Sequence, residues 1–281
     1  MSDRLLKNCE ILQQKYDSLF RKYSCDYNEL LEYVKPDSYR PEYAKSDLSC
    51  HRGYYCPSRI LDIVIGGCNR GKKVKQKPKN GYYYEYVFNK KDELIASKVF
   101  HDTELLSQEV VLWNGQTSLS IEYGKSPITA AYELCTISEC CYDHYGRIIE
   151  YELTHFLNGC WSEVQTEKYE YYSNQFICFR EEYDIYNFNK TNKRNNGSKH
   201  MCSTSLKRLD TNEFVNALYS VQNDPYTYIN QRKYIFNYDN NGYIASYLVE
   251  SYKDDEVVQS IWDGHIFDVS KKRAAPAGEI F

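Results

Sequence analysis

Between residues 3 and 23 the apolar positions Leu5, Cys9, Leu12, Tyr16, Leu19 and Tyr23 recur at spacings of three and four, with Lys7, Glu10, Gln13 and Asp17 between them. That period predicts an amphipathic helix with one face to bury. Asp26 and Glu29 form a capping-box pattern ahead of Leu30, Leu31 and Val34, which predicts a short second helix ending before Pro36. Residues 36–58 carry Pro36, Pro41 and Pro57 and read as an irregular connector.

From residue 59 the period falls to two. Residues 59–65 read as a strand, 66–71 as a turn and 82–88 as another strand. In 148–156, Ile149, Tyr151 and Leu153 alternate with Glu150, Glu152 and Thr154, predicting one buried and one solvated face. A seven-residue pattern punctuates these strands: an aromatic residue, Asp or Asn, two polar residues, Gly or a substitute, any residue, then Leu or Ile. Tyr142-Asp143-His144-Tyr145-Gly146-Arg147-Ile148 and Tyr238-Asp239-Asn240-Asn241-Gly242-Tyr243-Ile244 are complete, and Phe88-Asn89-Lys90-Lys91-Asp92-Glu93-Leu94 lacks only the Gly. Weaker copies start at Trp113 and Glu170, so starts at 88, 113, 142 and 170 give steps of 25, 29 and 28 residues. Each step holds two ordinary strands and their turns. Asp or Asn at the turn can accept backbone N–H bonds, and Gly can take positive φ.

Polar residues 187–200 then predict an exposed loop. Asp210 and Glu213 predict a cap for a short helix through Phe214, Val215, Leu218 and Tyr219, ended by Pro225. A hairpin near Tyr252 follows. The expected fold is α+β and mostly β: a curved antiparallel meander of hairpins with N-terminal helices packed on one face and a Tyr-rich surface on the other. The expected organisation is a helical segment and connector over 1–58, a β domain over 59–270 with a loop and short helix inserted at about 187–225, and a flexible tail over 271–281.

Composition adds little direction. The 281 residues carry a net charge of -4, which gives no global pull toward nucleic acid or anionic lipid. The N-terminus lacks a signal-peptide apolar core, which points to a cytoplasmic protein whose 11 cysteines are packed thiols. The 30 tyrosines fit half-buried pleated surfaces, or a sticky surface for a partner.

Candidate chemistry is sparse. Gly66-Gly67-Cys68-Asn69-Arg70-Gly71-Lys72-Lys73 has the spacing of a phosphate-binding loop. Lys73 stands where Ser or Thr is needed, however, and no helix pattern follows. Cys50, His51, Cys56 and Cys68 are soft ligands without paired zinc spacing. The sequence implies no catalytic residue, cofactor or metal. Lys75, Lys77 and Lys79 beside Tyr82, Tyr83 and Tyr84 are the candidate partner-binding residues; lysine on a sheet edge also blocks aggregation without any ligand.

The repeat resembles that of the Rhs/YD-repeat proteins, whose signature is Tyr-Asp-x-x-Gly-Arg followed by Leu or Ile. Residues Tyr142 to Ile148 satisfy it in full, and the resemblance spans about 82–180 and 232–258. It implies antiparallel hairpins; in that family they extend to shells around toxins, for which four or five copies are too few. From this association come three functional expectations: a non-enzymatic protein-binding protein, of the bacterial immunity type that neutralises a partner toxin; a nucleic-acid- or nucleotide-acting enzyme using segment 66–79 and a Cys/His cluster; or a phage or mobile-element inhibitor or structural protein. The first places a protein partner ahead of nucleic acid and membrane.

Overall fold

The computed structural model describes residues 3–24, 40–64, 68–126, 130–157, 160–184, 228–240, 242, 244–253 and 256–263. The expected helices at 26–34 and 210–219, the loop at 187–200 and the tail at 271–281 lie outside them. Among the described residues thirteen strands form a single antiparallel sheet: β1 Arg40–Lys45, β2 Lys72–Val74, β3 Tyr82–Phe88, β4 Leu94–His101, β5 Glu104–Asn114, β6 Thr117–Lys125, β7 Tyr132–Tyr142, β8 Ile148–Leu157, β9 Cys160–Tyr171, β10 Gln175–Asp184, β11 Tyr228–Tyr238, β12 Ile244–Lys253 and β13 Glu256–Asp263. From β3 to β13 the order is a plain meander, while β1 lies between β3 and the edge strand β2. The connector thus contributes a strand, with Pro41 opposite Val87.

Two layers cover the sheet. Helix α1, Asp3–Tyr23, crosses one face, where Tyr16, Tyr23, Leu12, Leu19 and Phe20 pack against Val110, Ile121, Tyr123, Ile137, Phe156, Val164 and Tyr183. These residues come from β5 to β10, so one helical stripe joins six strands. Fully burying each large side chain contributes roughly 1.5–3 kcal/mol. Lys15 meets Glu152 at 2.6 Å and also pairs with Glu139, and the Tyr16 hydroxyl donates to Glu152. The face of β8 expected to be solvated, with Glu152 and Thr154, therefore lies under α1, and Thr154 is fully buried.

The chain between β1 and β2 covers the opposite face. This strap leaves Lys45, makes a 3₁₀ turn at Gly53–Tyr55, runs to the short helix α2 at Leu61–Val64 and returns to Lys72. Residues 59–64, expected as a strand, do not join the sheet. The Arg59 N–H donates to the Tyr169 hydroxyl at 2.9 Å, and Ile60, Ile63 and Val64 rest on Tyr169, Phe176, Tyr234 and Phe236. Gly53, at φ 53°, lies so close to Tyr84 that a Cβ would come within 2.5 Å of its ring. The expected exposed tyrosine face is thereby corrected: Tyr84, Tyr86, Tyr151 and Tyr169 are buried beneath the strap.

The repeat is a hairpin device. In all three strong copies the first and seventh residues are cross-strand partners: Phe88 with Leu94, Tyr142 with Ile148 and Tyr238 with Ile244. The register shifts just before each aromatic residue. Asp143 Oδ1 accepts from the N–H groups of Tyr145 and Arg147, each at 2.9 Å, and Asn89 does the same for Lys91 and Glu93 at 2.9 and 3.0 Å. The fifth position has φ of 59° in Asp92, 76° in Gly146 and 79° in Gly242. Asp is among the few side chains that tolerate this region, which explains the missing Gly.

The weak copies differ in register. Asn114 pairs with Thr117 around the two-residue turn Gly115-Gln116, so Leu119 faces Leu112 rather than Trp113. Their hairpins tie the strong ones together. Trp113 Nε1 donates to the Leu94 carbonyl at 2.8 Å and the Tyr171 hydroxyl to the Ile148 carbonyl at 2.7 Å. The backbone N–H groups of Tyr142 and Tyr238 donate to Gln116 and Asn174 carbonyls at 2.8 and 2.9 Å. The structural unit is therefore a strong hairpin followed by a weak one, 54 residues from Phe88 to Tyr142.

Candidate functional site

The segment expected to bind a partner runs from the edge strand β2 to the start of β3, with β1 between the two in the sheet. Tyr82 is 44 % exposed and stacked on His101 with ring centroids 4.3 Å apart. Tyr83 and Tyr84 point to opposite faces, and both are buried, Tyr83 stacked on Phe100 and Tyr84 on Tyr86. They give a partner no accessible surface, which corrects the expectation for those two rings. The lysines also divide. Lys77 lies over the Phe100 ring at 4.7 Å and pairs with Glu85 at 3.5 Å, whereas Lys75 and Lys79 are exposed and make no ion pair among the described residues.

Lys45 and Lys72 face each other directly across the β1–β2 ladder, and both are exposed. Together with Asp47, Asn69, Asn80, Gly81 and Tyr82 they line an open cleft of about 500 Å³. Asp47 is engaged locally, accepting from the Ser49 N–H at 3.0 Å and the Ser49 hydroxyl at 2.5 Å. Lys73 points to the other face, where it pairs with Glu42 at 2.8 Å and lies over the Tyr55 ring at 4.9 Å.

Two polar clusters are buried between sheet and strap. Arg52 holds Glu109 with Nε and Nη2 at 2.9 and 2.7 Å, and His51 bridges Glu109 and the Tyr151 hydroxyl at 3.1 and 2.9 Å. Burial alone would raise the Glu109 carboxyl. The adjacent Arg52 guanidinium and His51 instead hold it well below the usual carboxylate range. Farther along, Glu167 accepts from Ser58 at 2.9 Å, Gln165 at 2.8 Å, Arg180 at 2.8 Å and the Tyr169 hydroxyl. Both carboxylates are tied by the strap, Glu109 through Arg52 and His51, Glu167 through Ser58. These contacts fix the strap on the sheet and leave no room for a substrate at either carboxylate. Sequence reasoning missed both clusters. Their only signal was charge at inward strand positions, such as Glu109 before Val110 and Val111.

The phosphate-loop-like segment also has a structural task. Arg70 donates to the Cys56 carbonyl at 2.6 Å and to the Ser58 carbonyl, and pairs with Asp62 at 2.9 Å, so it clasps the two arms of the strap. Residues 72–74, beyond it, form a strand and not the helix that phosphate binding needs. A hydrogen bond from Cys50, with Arg70 and His51 nearby, holds the Cys56 thiol below the usual thiol range despite burial. Among the described residues, Cys50, Cys56, Cys68, Cys135, Cys140, Cys141 and Cys178 are free thiols, and no three His, Cys, Asp or Glu side chains converge on a metal position.

The architecture defines a class, a mostly β meander with one helical face and one strapped face. No family model matches the chain, and no curated protein matches it. Among solved structures, a porin-like protein from Bacteroides uniformis aligns with 64 % of this chain and 86 % of its own, at 10 % identity and a TM-score of 0.17. A score that low bears on neither fold nor function. Among the described residues no helix is long and apolar enough to cross a membrane.

Proposed function

We propose that this is a non-enzymatic protein-binding protein of the immunity type, which neutralises a partner toxin by capture. One observation carries the reading. The interior carboxylates Glu109 and Glu167 are taken up by His51, Arg52 and Ser58 of the strap and by Arg180 of the sheet, whereas the lysines Lys45 and Lys72, without an ion pair among the described residues, gather at the exposed β2 corner near Tyr82. A scaffold whose interior polar groups are engaged and whose β2 corner is open and charged supports a recognition role. The YD-like hairpins support the toxin-directed version by association only, since a fold does not carry a function with it.

The test is co-expression with the protein encoded by the adjacent gene, followed by affinity capture of the full chain. Rescue of growth with a stoichiometric complex is expected. Growth arrest without any complex would overturn the proposal.

A further inference from the structure

We propose that the β2 corner receives an acidic, extended protein segment that adds to the sheet as a further strand; this rests on the protein-binding reading above. Three features of the corner converge on that occupant. The first is backbone: β2 is one of the sheet's two terminal strands, the other being β13, and among the described residues no strand pairs with its outer edge. An unpaired edge is a template for an added strand. The second is charge. Lys45 and Lys72 are direct cross-strand partners, an arrangement that repels, and an acidic side chain beside them would relieve it. Lys75 and Lys79 extend the unpaired charge along the same chain, whereas Lys73 and Lys77 are held by Glu42 and Glu85.

The third is shape. The cleft lined by Lys45 and Lys72 runs across the strand ends to Tyr82, whose ring is stacked on His101, so an end of the segment can continue past the β2 corner; the one carboxylate in its lining, Asp47, is engaged by Ser49. Side chains on a strand alternate between faces, so the residue of the segment that pairs with Lys72 would place its acidic side chain on the face that Lys72 shares with Lys45. A single-stranded nucleic acid fits less well. The net charge is -4 and one exposed ring lines the cleft, whereas backbone-tracking grooves combine strong basic charge with successive stacking rings.

Fluorescence anisotropy on the full chain tests this with three labelled probes: a peptide of four Glu-Val repeats, a peptide of four Glu-Pro repeats and a twelve-residue oligo-dT. Proline has no N–H and cannot extend a ladder. The Glu-Val peptide should bind at least about tenfold tighter than the Glu-Pro peptide, weaken with salt, and lose about tenfold in affinity in Lys72→Glu. The same substitution replaces a repulsive pair with an attractive one, so its unfolding midpoint should hold or rise. Equal binding of both peptides, tighter binding of oligo-dT, or full affinity in Lys72→Glu would each overturn the proposal. If Lys72→Glu still captures the adjacent-gene partner, this surface is wrong while the protein-binding reading stands. If the wild type captures no such partner yet binds the Glu-Val peptide, the immunity reading falls alone.

Discussion

Removing one partner from the Arg52–Glu109 pair should expose how strongly the strap is locked to the sheet. Glu109→Ala deletes acceptors for Arg52 at 2.9 and 2.7 Å and for His51 at 3.1 Å, leaving a guanidinium whose side chain is 4 % exposed without its counter-charge. Breaking a buried pair in this way costs about 3–5 kcal/mol. Arg52→Met combined with Glu109→Leu removes both charges and both desolvation costs, so the double variant should lose well under the summed losses of Arg52→Met and Glu109→Leu made alone. The coupling in the cycle should be at least about 2 kcal/mol, within the range for residues in contact. Chemical denaturation followed by tyrosine fluorescence and far-ultraviolet circular dichroism gives the free energies. A Glu109→Ala loss below about 1 kcal/mol, or simple additivity in the cycle, would refute the buried lock. The pH dependence has a definite sign. Glu109 is held below its unfolded value, so its contribution is present above that value, near ~4.3, and is lost as pH falls through the folded value. Glu109→Ala should flatten that acid limb.

The turn role of the repeat Asp separates by substitution: Asp143→Asn keeps the Oδ1 acceptor and should cost under about 1 kcal/mol, while Asp143→Ala loses two backbone bonds and the Arg147 contact and should cost about 2–3 kcal/mol in urea unfolding. Equal losses would mean the Arg147 pair matters more than the turn. Gly146→Ala at φ 76° should cost about 1–2 kcal/mol, whereas Asp92→Gly at φ 59° should be neutral or stabilising; matching losses at both sites would argue against positive φ as the shared requirement. Burial, helped by His51, lowers His155 to about 4, so the unfolded chain takes up that proton first as pH falls from about 6.5. Stability should drop by about 1 kcal/mol between pH 7 and 5 on this account, discounted because the residue is half-buried. His155→Gln should flatten that window, and an unchanged slope would exclude His155 as its source.

How much of this was legible in the sequence follows from the range of the forces involved. Helix α1 and the strands at 82–88 and 148–157 were readable because period and turn chemistry are local. The repeat even specified register, since its first and seventh residues are ladder partners in the three strong copies. The strap was illegible for the opposite reason. Residues 59–64 have strand-like composition, but Ile60, Ile63 and Val64 gain more by covering Phe176 and Phe236 than by joining a ladder, and those partners lie more than a hundred residues away. The same distance hid the site: nothing local at Lys45 announces that it will face Lys72, and nothing near Tyr83 or Tyr84 shows that only Tyr82 stays exposed.

The strap also explains how a tyrosine-rich sheet avoids two sticky faces. Without it, Tyr84, Tyr86, Tyr151 and Tyr169 would form a broad aromatic surface across β3 to β9, large enough to drive association. Covering that surface with a loop has a cost, because Arg52 and Ser58 must be desolvated; Glu109 and Glu167 on the sheet offset it by accepting their hydrogen bonds. Because the strap joins β1 to β2, its docking also fixes where the edge strand and its lysines sit. Loosening the strap should therefore weaken partner capture at the β2 corner as well as stability. Arg70→Ala, which unclasps the two arms without touching any lysine of the corner, should lower both the unfolding midpoint and the affinity for the Glu-Val peptide. A lowered midpoint with unchanged affinity would show that the corner forms independently of the strap.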